Sequence, residues 1–173
     1  MVQKIILVGY MGSGKSTIGE LLSKKIQLPY IDLDSYLEEK ENLSISEIFS
    51  QKGEIYFRAI ESRYFRDLVT NQNSFVLSLG GGTACYAHNH LQLQNTNVQS
   101  IYLKTNIETI FIRLKSEKNT RPLITNKTNE ELKEFIAKHL FERSYFYNFC
   151  KLKVNTDNKN AEQLSDEILS LIL

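Results

Sequence analysis

Nine residues near the start of the chain, Gly9 to Thr17, read GYMGSGKST and match the pattern G-x-x-x-x-G-K-[ST]. That pattern is a phosphate-binding loop, and it works only between a strand and a helix. Both flanks comply. Lys4-Ile5-Ile6-Leu7-Val8 is a short β-branched apolar run, which reads as a buried strand. After the loop, Ile18, Leu21, Leu22 and Ile26 recur at near-helical spacing. Glycines at 9, 12 and 14 allow backbone conformations that a Cβ would forbid, so several N–H groups can converge on one anion. The helix N-terminus adds unpaired donors and partial positive charge. In such a loop Lys15 reaches β- and γ-phosphates, and the Ser16 hydroxyl can ligate Mg²⁺.

The rest of the chain alternates strands and helices. Short apolar runs at 30–32, 75–79, 98–103 and 152–155 read as strands. Helical patterns cover 34–40, 55–70, 107–114, 129–147 and 161–172, the last with Leu164, Ile168, Leu171 and Ile172 on one face. Ser44-Ile45-Ser46-Glu47 fits a capping box opening a further short helix that Gly53 could close. Five short apolar strands separated by helices predict an α/β fold: a parallel sheet covered on both faces. Its ligands sit beyond the carboxyl ends of the strands.

Composition narrows the classes of partner. The 173 residues suggest one domain, and 42% apolar residues suffice for a core. A formal net charge of +1 favours neither nucleic acid nor a membrane surface. The apolar runs are too short to span a bilayer, and the first eight residues lack the shape of a signal peptide. Two cysteines, Cys85 and Cys150, make no disulfide framework, so the expected setting is reducing and cytoplasmic. Both read as small buried side chains. His88, His90 and His139 have no metal-site spacing. A monomer is the default.

Three sets of polar residues fall at strand ends. Asp32 and Asp34 follow the second strand as D-L-D. One could hold Mg²⁺ through water and the other accept a hydrogen bond from a substrate hydroxyl. Equally, Asp34 could cap a helix while Asp32 is solvated. Gly80, Gly81 and Gly82 follow the third strand, where glycine permits close approach to a ligand or an ordinary turn. The usual second motif of phosphate-loop enzymes ends a strand in an Asp on the metal, whereas this strand ends Ser78-Leu79-Gly80; Asp32 is the substitute candidate. Arg58, Arg121 and Arg143 carry planar forks suited to carboxylate and phosphate, although a lone arginine is usually a solvated one. Residues 116–128 are polar and aperiodic and read as a mobile loop.

In chain order, G-x-M-G-[SA]-G-K-[ST] at 9–16, D-x-D at 32–34, F-R-x-x-E at 57–61, G-G-G at 80–82, R-P-L at 121–123 and E-R-x-x-x-Y at 142–147 resemble the shikimate kinase family, over nearly the whole chain. The resemblance implies a single kinase domain over 1–173, three-layer α/β/α with a five-stranded parallel sheet, of the phosphate-loop, nucleoside-monophosphate-kinase-like class. It implies an acceptor region at about 33–62 and a lid at about 115–126. The implied reaction moves the γ-phosphoryl group of ATP, with Mg²⁺, to the 3-hydroxyl of shikimate, in aromatic amino-acid biosynthesis. By the same resemblance Gly12, Ser13, Gly14, Lys15, Ser16 and Thr17 bind ATP, with Ser16 and Asp32 near the metal. Asp34, Arg58, Gly80 to Gly82 and Arg143 meet shikimate, Arg121 reaches ATP from the lid, and Arg113 packs on the adenine. Tyr145, where many relatives place proline, and Asn148-Phe149-Cys150-Lys151 depart from the family pattern.

Two other readings stay open on the residues alone. One is a kinase for gluconate or a nucleoside monophosphate, although a phosphorylated acceptor would sit poorly beside Asp34. The other is a nucleotide-binding switch that transfers nothing.

Overall fold

The structure, a computed structural model, describes residues 3–117 and 124–172. Five strands form one wholly parallel sheet in the order β2-β3-β1-β4-β5. β1 (Lys4–Val8) is central and buried throughout. It pairs with β3 (Phe75–Ser78) on one side and β4 (Val98–Lys104) on the other. β2 (Tyr30–Asp32) and β5 (Leu152–Asn155) are the edges.

Alternation along the strands sends side chains to two separate cores. Ile6, Val8 and Leu77 pack with Ile110, Leu114, Leu132 and Ile136 of helices α4 (Ile107–Ser116) and α5 (Asn129–Tyr147). Ile5, Leu7, Val76, Ile101 and Leu103 face α1 (Lys15–Ile26) and α6 (Ala161–Ile172) through Ile18, Leu22, Leu164 and Ile168. The apolar face of α6 is narrower than its sequence pattern, since Leu171 is left 51% exposed.

Two further helices carry Asp34 and Arg58. α2 (Leu33–Glu41) starts directly at the end of β2, and its cap is Asp32, whose Oδ1 accepts from Ser35 N at 3.2 Å. The sequence offered Asp34 as that cap. Asp34 instead lies in the first helical turn, which frees its carboxylate for other work. α3 (Ile45–Thr70) opens on the capping box expected at Ser44 and Glu47, and Gly53, at φ 81°, breaks it where the sequence placed a stop. At its far end the fully buried Lys4 donates from Nζ to the carbonyls of Val69 and Asn71, both at 2.6 Å. The lysine so satisfies carbonyls that the helix itself leaves without partners.

After β3 the chain makes two short 3-10 segments, Thr83–Cys85 and Asn89–Gln94. The sequence did not announce them, because neither carries an apolar period. They lock the far end of the glycine run: Asn89 Nδ2 donates to the Thr83 carbonyl at 2.9 Å, and Ser62 Oγ donates to Asn89 Oδ1 at 2.8 Å.

Candidate active site

β1, β2 and β3 all release their chains at the same edge of the sheet, and a Leu79 N–H to Leu7 carbonyl bond of 3.1 Å carries the β1–β3 ladder one residue further. Gly9 and Gly80 therefore leave the sheet side by side. A cavity of about 440 Å³ lies above them, lined by Gly12 to Thr17, Asp32, Asp34, Gly80, Gly81 and Arg113. Ligands of open α/β sheets bind in such a crevice, where the chain order reverses.

The phosphate loop is formed as the motif requires. Gly12 and Gly14 hold φ of 79° and 95°, values that strain any residue with a Cβ. Gly9 is needed for space, because a Cβ there would stand 2.7 Å from Ser13 Oγ. Lys15 Nζ donates to the carbonyls of Gly9 at 2.7 Å and Tyr10 at 3.0 Å, so the ammonium stays within its own loop. Arg113 Nη1 donates to the Gly12 carbonyl at 2.8 Å, tying α4 to the loop. Ser16 and Thr17 are exposed at the first turn of α1.

Gly80 to Gly82 form a floor under three polar side chains. None of the three has positive φ, so glycine serves here for close approach alone. A Cβ on Gly80 would stand 3.3 Å from Asp34 Oδ1, one on Gly81 3.1 Å from Arg143 Nη1, and one on Gly82 2.8 and 2.9 Å from the two Nη atoms of Arg58. The structure thus gathers Asp34, Arg58 and Arg143, from helices distant in sequence, onto three consecutive residues.

Glu61 joins this group, and the sequence reading gave it no role. It is buried, accepting from Arg58 Nη1 at 2.8 Å through Oε2 and from Thr83 Oγ1 at 2.6 Å through Oε1. It fixes both the arginine fork and the end of the glycine floor. Its signal was the i, i+3 spacing from Arg58 on a helix whose neighbours Phe57 and Ile60 are core residues. Tyr147, the last residue of E-R-x-x-x-Y, had no role in the sequence reading either: it is fully buried, and its hydroxyl donates to the Gly81 carbonyl.

Asp34 opens to solvent through the mouth of the cavity, yet its carboxyl end is crowded by the glycine floor and by other anions. Poor hydration, then the charges of Asp32 and Glu61, push its pKa up to about 6, against a smaller opposing pull from Lys15. A carboxylate poised there can still accept a proton at neutral pH. Cys85 is half-buried near Arg58 and Arg143, and burial lifts its thiol to about 11, which leaves little thiolate at neutral pH. Cys150 is raised further by deeper burial, and both thiols are free. Among the described residues no group of three or more His, Cys, Asp or Glu side chains is placed to hold a metal ion. No helix of the described residues is long and apolar enough to cross a membrane. Arg121 and the middle of the expected lid, residues 118–123, lie outside the described residues; on its flanks α4 runs to Ser116, and Ile124 is buried in the core. At Tyr145 the departure from the family pattern is absorbed by an aromatic cluster with Phe146, Phe149 and His90.

A phosphate loop on a parallel sheet, beside a glycine floor crowded by one carboxylate and two arginine forks, is the build of a small-molecule kinase that uses ATP. The shikimate kinase family model matches residues 11–173. The chain is 50% identical over 171 residues to the shikimate kinase of Flavobacterium johnsoniae, covering 99% of both. The crystal structure of shikimate kinase from Bacteroides thetaiotaomicron superposes with a TM-score of 0.88 at 32% identity, covering 98% of each chain. That of shikimate kinase from Acinetobacter baumannii in complex with shikimate gives 0.86 at 31%, covering 99% of this chain and 93% of the other. The chain belongs to the shikimate kinase family.

Proposed function

We propose that the residues above divide the family's reaction among themselves as follows. The γ-phosphoryl group of ATP passes to shikimate, at its 3-hydroxyl, giving shikimate 3-phosphate and ADP in aromatic amino-acid biosynthesis. Backbone N–H groups of Gly12 to Thr17 hold the phosphates, and Lys15 exchanges its two carbonyl partners for β- and γ-phosphate oxygens. Arg113 borders the adenine side. Arg58 and Arg143 clamp the acceptor's carboxylate over Gly80 to Gly82. Asp34 accepts the proton that the hydroxyl loses as its oxygen bonds to phosphorus and the bond to the ADP oxygen breaks. Arg121, from the lid at about 115–126, meets the charge that develops on the transferring group.

The donor set fits Mg²⁺. It offers the Ser16 hydroxyl and, across the same cavity, the Asp32 carboxylate, one of whose oxygens is spent on the α2 cap. So few protein oxygens suit an ion that keeps waters and takes its other ligands from phosphates. When bound, the ion offsets charge on the β- and γ-phosphates. The chain acts as one kinase domain over 1–173, with its acceptor region at about 33–62, as a cytoplasmic monomer; the two unpaired cysteines support a reducing setting.

The observation that carries this reading is the gathering of Asp34, Arg58 and Arg143 on the glycine floor beside the phosphate loop. Phosphorus and proton NMR of the product tests it. The phosphate should couple to the proton on carbon 3 of shikimate. Coupling to another ring proton would mean that Asp34 faces a different hydroxyl.

A further inference from the structure

Tyr10, the second residue of the phosphate loop, is only 1% exposed, an unexpected place for a large ring in a loop whose work is done by backbone N–H groups. Each part of it meets a different part of the site. Its carbonyl accepts from Lys15 Nζ at 3.0 Å. Its hydroxyl lies 3.0 Å from His139 Nδ1 on α5. Its ring face lies 5.5 Å from the guanidinium carbon of Arg143, also on α5.

The two acceptor-side arginines are held differently. Arg58 is ion-paired with the buried Glu61 at 2.8 Å and, more loosely, with Glu54 at 3.9 Å. Arg143 has no carboxylate in ion-pair range among the described residues. A carboxylate partner orients a guanidinium by neutralising it. An aromatic face orients it while leaving its charge for another anion. We infer that Tyr10 is a positioning residue for the acceptor: its ring holds the Arg143 guanidinium over Gly81 with its charge intact, so the loop that grips ATP also sets the arginine that grips shikimate. This rests on the reading of Arg143 as an acceptor-binding group.

The ring is itself held in place. His139 meets it edge-on at 5.9 Å between centroids and is backed by Phe135 at 4.1 Å. Burial pushes the Tyr10 hydroxyl up to about 12, so it remains a protonated partner for His139 at neutral pH.

The test varies the ring's electron density and not its size, which keeps the core filled. Tyr10 is replaced by phenylalanine carrying none, one, two or three ring fluorines, in the wild-type and Arg143→Ala backgrounds, and KM is measured for shikimate and for ATP. With Tyr10→Phe as the reference, fluorination should raise the shikimate KM stepwise, reaching roughly 3- to 10-fold at three fluorines, with the ATP KM moving less than about 2-fold. Arg143→Ala should raise the shikimate KM on its own, and in that background the series should be flat. A flat series in the wild-type background, with Arg143→Ala still harmful, would overturn the inference and leave the acceptor reading standing. An equal rise in both backgrounds would mean that Tyr10 acts by packing, and would also overturn it. A harmless Arg143→Ala would overturn both.

Discussion

A carboxylate proposed to accept a proton at neutral pH must be ionised where ionisation is poorly favoured, and Asp34 sits in such a place. Its pKa rises on folding from the ordinary 3.8 to about 6, so folding favours its protonated form. The resulting stabilisation is complete below about pH 4 and is lost as pH climbs through about 6. Asp34→Asn keeps the shape and removes the charge. The variant should melt higher than the wild type at pH 7, and the gap should close below about pH 4, as differential scanning calorimetry across pH would show. The same substitution should cut kcat roughly 10²-fold or more. In the wild type, kcat/KM should fall on the acid side with a midpoint near 6. A variant that melts higher and retains wild-type kcat would leave Asp34 a crowded carboxylate with no role in the chemistry.

At the scale of elements, the proposed acceptor site depends on how α2 and α3 are held to each other and to the glycine floor. Gly82 is the tightest point. A Cβ there would press on a fork that Glu61 prevents from moving aside. Gly82→Ala should therefore raise the KM for shikimate about 10-fold or more, with the ATP KM little changed, in steady-state assays. Away from the cavity, Glu41 at the end of α2 ties that helix to α3: it accepts from Tyr56 at 2.7 Å, Tyr64 at 2.9 Å and Lys52 at 3.3 Å. Those hydrogen bonds, Tyr56 first, hold its pKa below the ordinary glutamate range. A depressed pKa contributes stability that is present at neutral pH and lost as pH falls through the folded-state value. Glu41→Gln should lower stability at pH 7 by about 1–3 kcal/mol, the cost of weakening hydrogen bonds to a charged group. The deficit should shrink below about pH 4, as urea unfolding at both pH values would show.

Across the whole molecule, what the sequence made legible followed periodicity and local chemistry. Strands β1 to β5 are apolar runs, α5 was delimited at 129–147 in agreement with the structure, and the Ser44 capping box needs only residues three apart. What it concealed depends on long-range partners. Lys4 read as the first residue of a strand because the carbonyls it caps belong to residues 69 and 71. Glu61 stood only as the last residue of F-R-x-x-E, with no role of its own, because Thr83, its second partner, is 22 residues away. The choice of cap between Asp32 and Asp34 turned on where the helix begins, which spacing alone leaves undecided. The gathering of Asp34, Arg58 and Arg143 over Gly80 to Gly82 came from the resemblance; the fold supplies its cause, since β1, β2 and β3 end at one edge of the sheet.

The central claim is that phosphate loop and glycine floor form one site for phosphoryl transfer from ATP to shikimate. A coupled assay of ADP release tests it, run with shikimate, gluconate, a nucleoside monophosphate or no acceptor. Sustained ADP release with shikimate alone, reduced at least 10²-fold in Asp34→Asn, is the predicted result. ADP release at the same rate without shikimate, or faster with gluconate or the nucleotide, would contradict the claim.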